Sequence, residues 1–424
     1  MSRDGASSTV SAEAAVADAH RHEWGFVLAA TVRVTRDIDL AEECVQDAYA
    51  KALDSWPRTG VPDKPGAWLT TVARRRALDQ LRRRSTQDRI LPLLVEPTAT
   101  EADAIESAVE RDLPEVPDDR LRLIFTCCHP ALPPEAQVAL TLRLLCGLTT
   151  AEVARAFLVP EGTMAARITR AKKKIAAARI PYEVPSLDQL PARIDAVLTV
   201  VHLLFTTGHT APAGSDLVRR DLVERAVDLA RMLRLLLADD ADVTGLLALI
   251  LLTDARRPAR VDDDGRLVLL ADQDRRAWDH GQIAEGISLV REALCRRPPG
   301  RFALMAAVAA VHAQAPSWET TDWAEIVGLY DLLVQIWPSP VVALNRAVAV
   351  GLARGPQAGL AALDALTTEP ILAAYSYLAA SRADFLRRLG RDDEARVAYQ
   401  EALLLSENTV ERDFLAERLR QLDH

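Results

Sequence analysis

The chain has 424 residues, enough for two to four domains with separate cores, and its 49% apolar content marks it as globular. Only 5% of residues are aromatic, and Ala, Leu and Arg dominate over the β-branched types, so the expected fold class is all-α. The formal net charge is -9, yet residues 1–180 hold 25 basic and 25 acidic side chains, which places the whole acidic surplus in residues 181–424. Five irregularly spaced cysteines (Cys44, Cys127, Cys128, Cys146 and Cys295) exclude a disulfide framework and fit a reducing, cytoplasmic setting.

The first stretch, MSRDGASSTVSAEAAVADAH, lacks the basic and apolar blocks of a secretory signal and reads as disordered. From about His22 to Arg84 the spacing of apolar residues predicts helices, first over DLAEECVQDAYAKAL (39–53) and then over AWLTTVARRRALDQLRRR (67–84). The intervening SWPRTGVPDKPG is a loop by its prolines and glycines. The second helix carries Arg74, Arg75, Arg76, Arg82, Arg83 and Arg84, with Trp68 one turn before them. Opening DNA needs counter-charge for phosphates and flat partners for unstacked bases, and this combination supplies both. Taken alone, Trp68 reads as a core residue. Residues 86–118 are rich in Pro and acid and predict a partly flexible linker.

Helical patterns return over 119–180. In TTAEVARAFLVPEGTMAARITRAKKKIAAAR (149–179), Thr149 and Glu152 have the spacing of a capping box that opens a short helix. LVPEG then breaks it, and Pro160 suits the first turn of the next helix. That helix places Met164, Ile168, Ala171 and Ile175 on one apolar stripe and Arg167, Arg170 and Lys174 on another face. Two short helices, a tight turn and a basic outward face predict a helix-turn-helix. A merely basic surface helix is the plain alternative for this segment alone. A second arginine-rich helix in a separate small domain argues against it.

These stretches together resemble the extracytoplasmic-function sigma factors, which direct bacterial RNA polymerase to promoters. The resemblance covers about residues 15–180. DLAEECVQDAYAKAL is similar to the helix that binds the polymerase clamp, which implies polymerase contacts for Glu43, Gln46 and Asp47. GAWLTTVARRRALDQLRRR is similar to the part that melts and reads the -10 element, implying DNA contacts for Trp68 and the six arginines named above. The helix-turn-helix resembles the reader of the -35 element. There the sequence departs from many relatives, with Ala165 and Ala166 where a basic and a hydroxyl residue are usual. Thymine-methyl contacts, Thr163 and Arg167 are then expected to carry specificity, Lys172, Lys173 and Lys174 to meet phosphates and set register, and Arg170 to be a further contact to the -35 element.

The remaining chain resembles a subgroup of these factors with a long helical extension, most clearly over 193–209 and 254–279. Asp264-Gly265 predicts a turn in a small hairpin within the latter. Gly355 and Gly390 are 35 residues apart, close to the roughly 34-residue tetratricopeptide period. Ala383, Gly390, Ala395 and Ala402 match the small positions where paired repeat helices cross. A generic helical array is the alternative for the earlier units. The predicted organisation is 15–85 for polymerase and the -10 element, 86–118 linker, 119–180 for the -35 element, 181–285 a helical extension, and 286–424 tetratricopeptide-like repeats.

TCCHP (126–130), His20 and His22 do not form the two ligand pairs of a structural zinc site, so no metal is expected, and Cys127 and Cys128 are expected to be buried beside the helix-turn-helix. No Gly-rich phosphate loop, nucleophile elbow or HExxH motif occurs, so neither a cofactor nor an enzyme activity is expected. GLLALILL (245–252) is far too short to span a bilayer. The expected partners are core RNA polymerase, promoter DNA, and a protein or ligand partner of the extension. The acidic extension could also fold back onto the arginine-rich helices and occlude them. A rival reading is a helix-turn-helix regulator with a tetratricopeptide-like sensor that never enters the polymerase. A third is a repeat scaffold whose first part has lost DNA binding.

Overall fold

The structure, a computed structural model, describes residues 4–90, 119–157, 159–186, 189–296 and 298–423. The linker predicted at 86–118 lies, from residue 91 onward, outside the described residues. Among the described residues there are eighteen α-helices and a single two-stranded ladder of two residues per strand, so the protein is all-α. The chain divides into two compact units, residues 1–200 and 201–424.

In the first unit, α1 (Asp4–Thr35), α2 (Ile38–Thr59) and α3 (Pro65–Ile90) pack on one another as a three-helix bundle. Its core holds Trp24, Leu28, Leu40, Val45, Trp56 and Leu69, the buried sides of three amphipathic helices. Asp37 caps α2 by accepting from the amides of Asp39 at 2.9 Å and Leu40 at 3.1 Å, and Gly60 ends it at φ 83°. The structure corrects the expected disorder at the start of the chain. Residues from Asp4 onward extend α1, and Ala12, Val16 and Ala19 are buried. Their four- and three-residue spacing makes a helical stripe that needs α2 beside it, where the Tyr49 hydroxyl donates to the Ala19 carbonyl at 3.2 Å.

The second half of this unit is built from α4 (Asp119–Cys127), α5 (Pro134–Leu144), α6 (Thr150–Ala156) and α7 (Glu161–Ala177). Cys127 and Cys128 lie at the buried end of α4, as their place in an apolar run predicts. The Cys128 sulfur sits 3.8 Å from the Thr141 hydroxyl, and burial pushes its thiol up to about 12. After α7 the chain turns back, and the Tyr182 hydroxyl donates to the Ala29 carbonyl at 2.7 Å, tying this segment to α1.

Helix α8 (Leu190–His209) leads into the second unit, which continues as α9 (Arg220–Leu236), α10 (Ala241–Asp254), α11 (His280–Cys295), α12 (Arg301–Gln314), α13 (Trp323–Ile336), α14 (Pro340–Arg354), α15 (Pro356–Asp364), α16 (Ser376–Arg388), α17 (Asp392–Leu405) and α18 (Thr409–Arg420). From α9 on, each helix packs chiefly on its neighbours in sequence. Helices α10 and α12 are the exceptions, packing chiefly on each other, and α10 is apolar on every side and pressed between α11 and α12, which is why GLLALILL shows no polar face. A β-carbon on Gly245 would lie 2.5 Å from the Ala303 amide nitrogen, so only glycine permits this crossing.

The segment 255–279 is not helical beyond two short 3-10 turns. The predicted hairpin forms within it: Val261 bridges Leu267 in antiparallel fashion, and Gly265 takes φ 77° at the turn. Ala383, Ala395 and Ala402 are buried where α16 meets α17, and Gly390 (φ 71°) joins the two helices. The first and last parts of this unit are stitched together by a parallel ladder, Ala213–Gly214 on Glu407–Asn408. The buried Asn408 amide reinforces the join by donating to the carbonyls of Ala211 at 2.9 Å and Asp216 at 3.0 Å.

Candidate nucleic-acid interface

The local chemistry of the helix-turn-helix follows the sequence closely. Glu152 accepts from the Thr149 amide at 2.8 Å, while the Thr149 hydroxyl receives the Glu152 amide at 3.2 Å, a reciprocal capping box that starts α6. Pro160 stands immediately before α7, where its missing amide costs nothing. Met164, Ile168, Ala171 and Ile175 form the buried stripe of α7. Thr163, Ala165, Ala166, Arg170, Lys173 and Lys174 are exposed and make up the outward face of α7.

Two predicted members of that face are engaged elsewhere. The Arg167 guanidinium pairs with Glu135 at 3.1 Å and lies over the Phe157 ring at 5.6 Å. Lys172 turns onto α2, donating to Asp39 at 2.8 Å and to Glu42. Its side chain is 14% exposed and that of Glu42 8%, and Arg143 pairs with the same Glu42 at 3.1 Å. Burial alone would push the lysine's pKa down, but the Glu42 and Asp39 carboxylates outweigh it and hold the pKa above the ordinary value. Lys172 is therefore not a phosphate-facing group in this arrangement. The reason is geometric: residue 172 follows Ala171 and lies four residues after Ile168, on the flank of the apolar stripe.

In the bundle, Trp68 is half-buried and meets the Trp56 ring edge-on at 5.6 Å. Arg75, Arg82, Arg83 and Arg84 are exposed, with Arg84 also reaching Asp37 at 3.4 Å. Arg74 is half-buried. Arg76 is held by Asp47 at 2.8 Å, so one predicted DNA contact and one predicted polymerase contact neutralise each other across α2 and α3. Glu43 and Gln46 remain exposed on α2. The structure thus brings the arginine-rich stretch of α3 beside α2, and it leaves α7 joined to the start of α2 through Lys172.

Sequence reasoning missed the Lys172, Glu42 and Arg143 cluster. Its signal was Glu42 itself, an acid inside the buried stripe of α2 between Ile38, Ala41 and Val45. A carboxylate in that position requires a cation from another element. Among the described residues no three His, Cys, Asp or Glu side chains converge as a metal site, and no helix is long and apolar enough to cross a membrane.

Comparison with known proteins agrees with this geometry. Residues 21–87 match sigma-70 region 2, residues 122–175 match sigma-70 region 4, and residues 193–294 match a family of unknown function, DUF6596. The class defined is that of a sigma factor, a promoter-recognising protein whose partners are RNA polymerase and promoter DNA. More particularly, the chain belongs to one family with a curated, uncharacterized protein of Rhizobium meliloti (strain 1021). The two are 43% identical over 399 residues, covering 94% of this chain and 92% of that relative.

Proposed function

We propose that the protein is an alternative sigma factor of the extracytoplasmic-function type, acting in the cytoplasm without catalysing a reaction. In this reading residues 15–85 engage core polymerase and the -10 element, and residues 119–180 engage the -35 element. Residues 181–424 form a regulatory or protein-interaction extension with tetratricopeptide-like pairing in its last part. The observation that carries the reading is the pairing of two exposed basic surfaces, on α3 and on α7, with a free acidic and polar edge at Glu43 and Gln46 on α2. DNA phosphates meet the first two and polymerase meets the third. The close crossing at Ala383, Ala395 and Ala402 supports the repeat-like character of the extension.

The test is reconstitution with core RNA polymerase. A sigma factor co-purifies with the core enzyme in stoichiometric amount, and Glu43→Arg weakens that complex by roughly tenfold or more through charge reversal. Run-off transcription from the gene's own upstream region then initiates at one position. A helix-turn-helix regulator binds DNA without entering the polymerase, and that outcome ends the reading.

A further inference from the structure

A cavity of 330 Å³ lies within the second unit, walled by α10, α12, α13 and α14 and closed on one side by the non-helical segment after α10. This is at the small end of the range for small-molecule sites, about 300–1,000 Å³. Most of its wall is apolar, including Leu249, Met305 and Leu333. Four polar side chains reach it: Arg256, His312, Tyr330 and, at the exposed rim, Asn345.

The charge of Arg256 has no counter-charge paired with it among the described residues. Its neighbours in the same segment each have a partner, although one guanidinium nitrogen of Arg257 and one of Arg275 have none: Arg257 pairs with Asp254 at 3.3 Å, and Arg260 donates to the Thr210 hydroxyl at 2.9 Å and to the His209 carbonyl. Arg275 donates to the carbonyls of His312 at 2.6 Å and Ala315 at 2.7 Å. Arg256 makes no ion pair or hydrogen bond with any described residue, and the charges that bear on it are Arg260 and Arg275, both of its own sign. Burial and those two cations pull its pKa down to about 10, so it is still charged at neutral pH. The neighbouring imidazole is neutral, because burial, Arg256 and Arg275 bring His312 down to about 4, and its Nδ1 has no hydrogen-bond partner. The Tyr330 hydroxyl and the Asn345 amide likewise have no side-chain partner among the described residues.

A partly buried guanidinium without a counter-charge costs free energy unless something arrives to pair with it. Its planar fork matches the two oxygens of a carboxylate. Arg256 is the one cation that lines the cavity, beside a neutral imidazole, a hydroxyl and an amide, and a single cation in the wall matches a single negative charge better than the dianion of phosphate. The apolar wall requires the rest of the ligand to be hydrocarbon-like. We propose that this cavity binds a small organic monocarboxylate, with Arg256 pairing the carboxylate, Tyr330 and Asn345 orienting it, and Leu249, Met305 and Leu333 enclosing the apolar body. The proposal stands independently of promoter recognition.

The probes are octanoate, benzoate, their neutral amides and inorganic phosphate, each titrated into the full-length protein by calorimetry and thermal denaturation. At least one of the two carboxylates is expected to bind and raise the unfolding temperature, with its amide weaker by at least about tenfold. Arg256→Met is expected to lose that binding and to raise the unfolding temperature of the ligand-free protein, since it removes an uncompensated charge. The proposal is overturned if neither carboxylate binds at about 10 mM, if an amide or phosphate binds as well as the carboxylate, or if Arg256→Met binds undiminished. Should that variant fail to fold, the comparison of acid with amide on the unaltered protein decides alone.

Discussion

Arginine does opposite work in the two compact units. In the first, Arg75, Arg82, Arg83 and Arg170 stand on helix surfaces in water, where the charge acts at a distance and salt screens it. In the second, Arg256, Arg260 and Arg275 are drawn into a segment without regular structure, where Arg260 and Arg275 satisfy carbonyls that no helix ladder can reach. The first use tolerates sliding and exchange, which the proposed contacts to phosphates require. The second fixes geometry. Position along the chain says little about which use a given arginine will have; burial decides it.

The largest effect is expected in DNA binding. Replacing Arg82, Arg83 and Arg84 with Ala is expected to weaken promoter affinity by roughly tenfold or more at moderate salt and to reduce the salt slope by about 0.9 for each phosphate no longer neutralised. Binding isotherms across a salt series measure both. Lys173→Ala tests the same point on α7, and an unchanged slope removes that residue from the interface.

A smaller effect is expected where arginine is structural. Arg275→Leu leaves the His312 and Ala315 carbonyls without their donor and is expected to destabilise the second unit by about 2–3 kcal/mol, with promoter affinity and salt slope intact. Chemical denaturation reads the first quantity. A shift in the salt slope would show that the two uses of arginine are not separate.

The least change is expected at Lys172, a basic residue of α7 that is spent inside the protein. Lys172→Met leaves Glu42 with Arg143 alone and is expected to cost about 1–2 kcal/mol, below the roughly 3–5 kcal/mol of a fully orphaned buried charge. Its folded-state pKa lies above the ordinary 10.5, so its contribution is complete below that value and is lost as pH rises through the raised folded value. Stability measured from pH 9 to 12 should therefore fall for the unaltered protein and change less for the variant. Equal slopes would mean that the ion cluster contributes nothing.

The helix-turn-helix was legible because each of its signals acts within a few residues. The capping box spans Thr149 to Glu152, and the apolar stripe of α7 repeats every three or four positions. The hairpin at Gly265 was readable for the same reason. The start of α1 was misread because its small residues gain burial only from tertiary packing, with α2 among the elements beside it. The cavity at Arg256 was not legible: DARRPAR lies in a stretch that resembles a family, but nothing in its spacing says which of its arginines is buried or what surrounds it.

Residue spacing alone determined that the chain is helical, where its DNA-reading helix begins and which side of it is apolar, because hydrogen-bonded turns and amphipathic periodicity are properties of neighbours along the chain. Only the tertiary structure decided which charges remain available. Lys172 and Asp39 meet across 133 residues of sequence, Arg76 and Asp47 across 29, and Arg256 meets no acid among the described residues. Whether an ionic group ends free, paired or stranded depends on the dielectric and the partners that distant segments bring to it, and the order of residues does not carry that information.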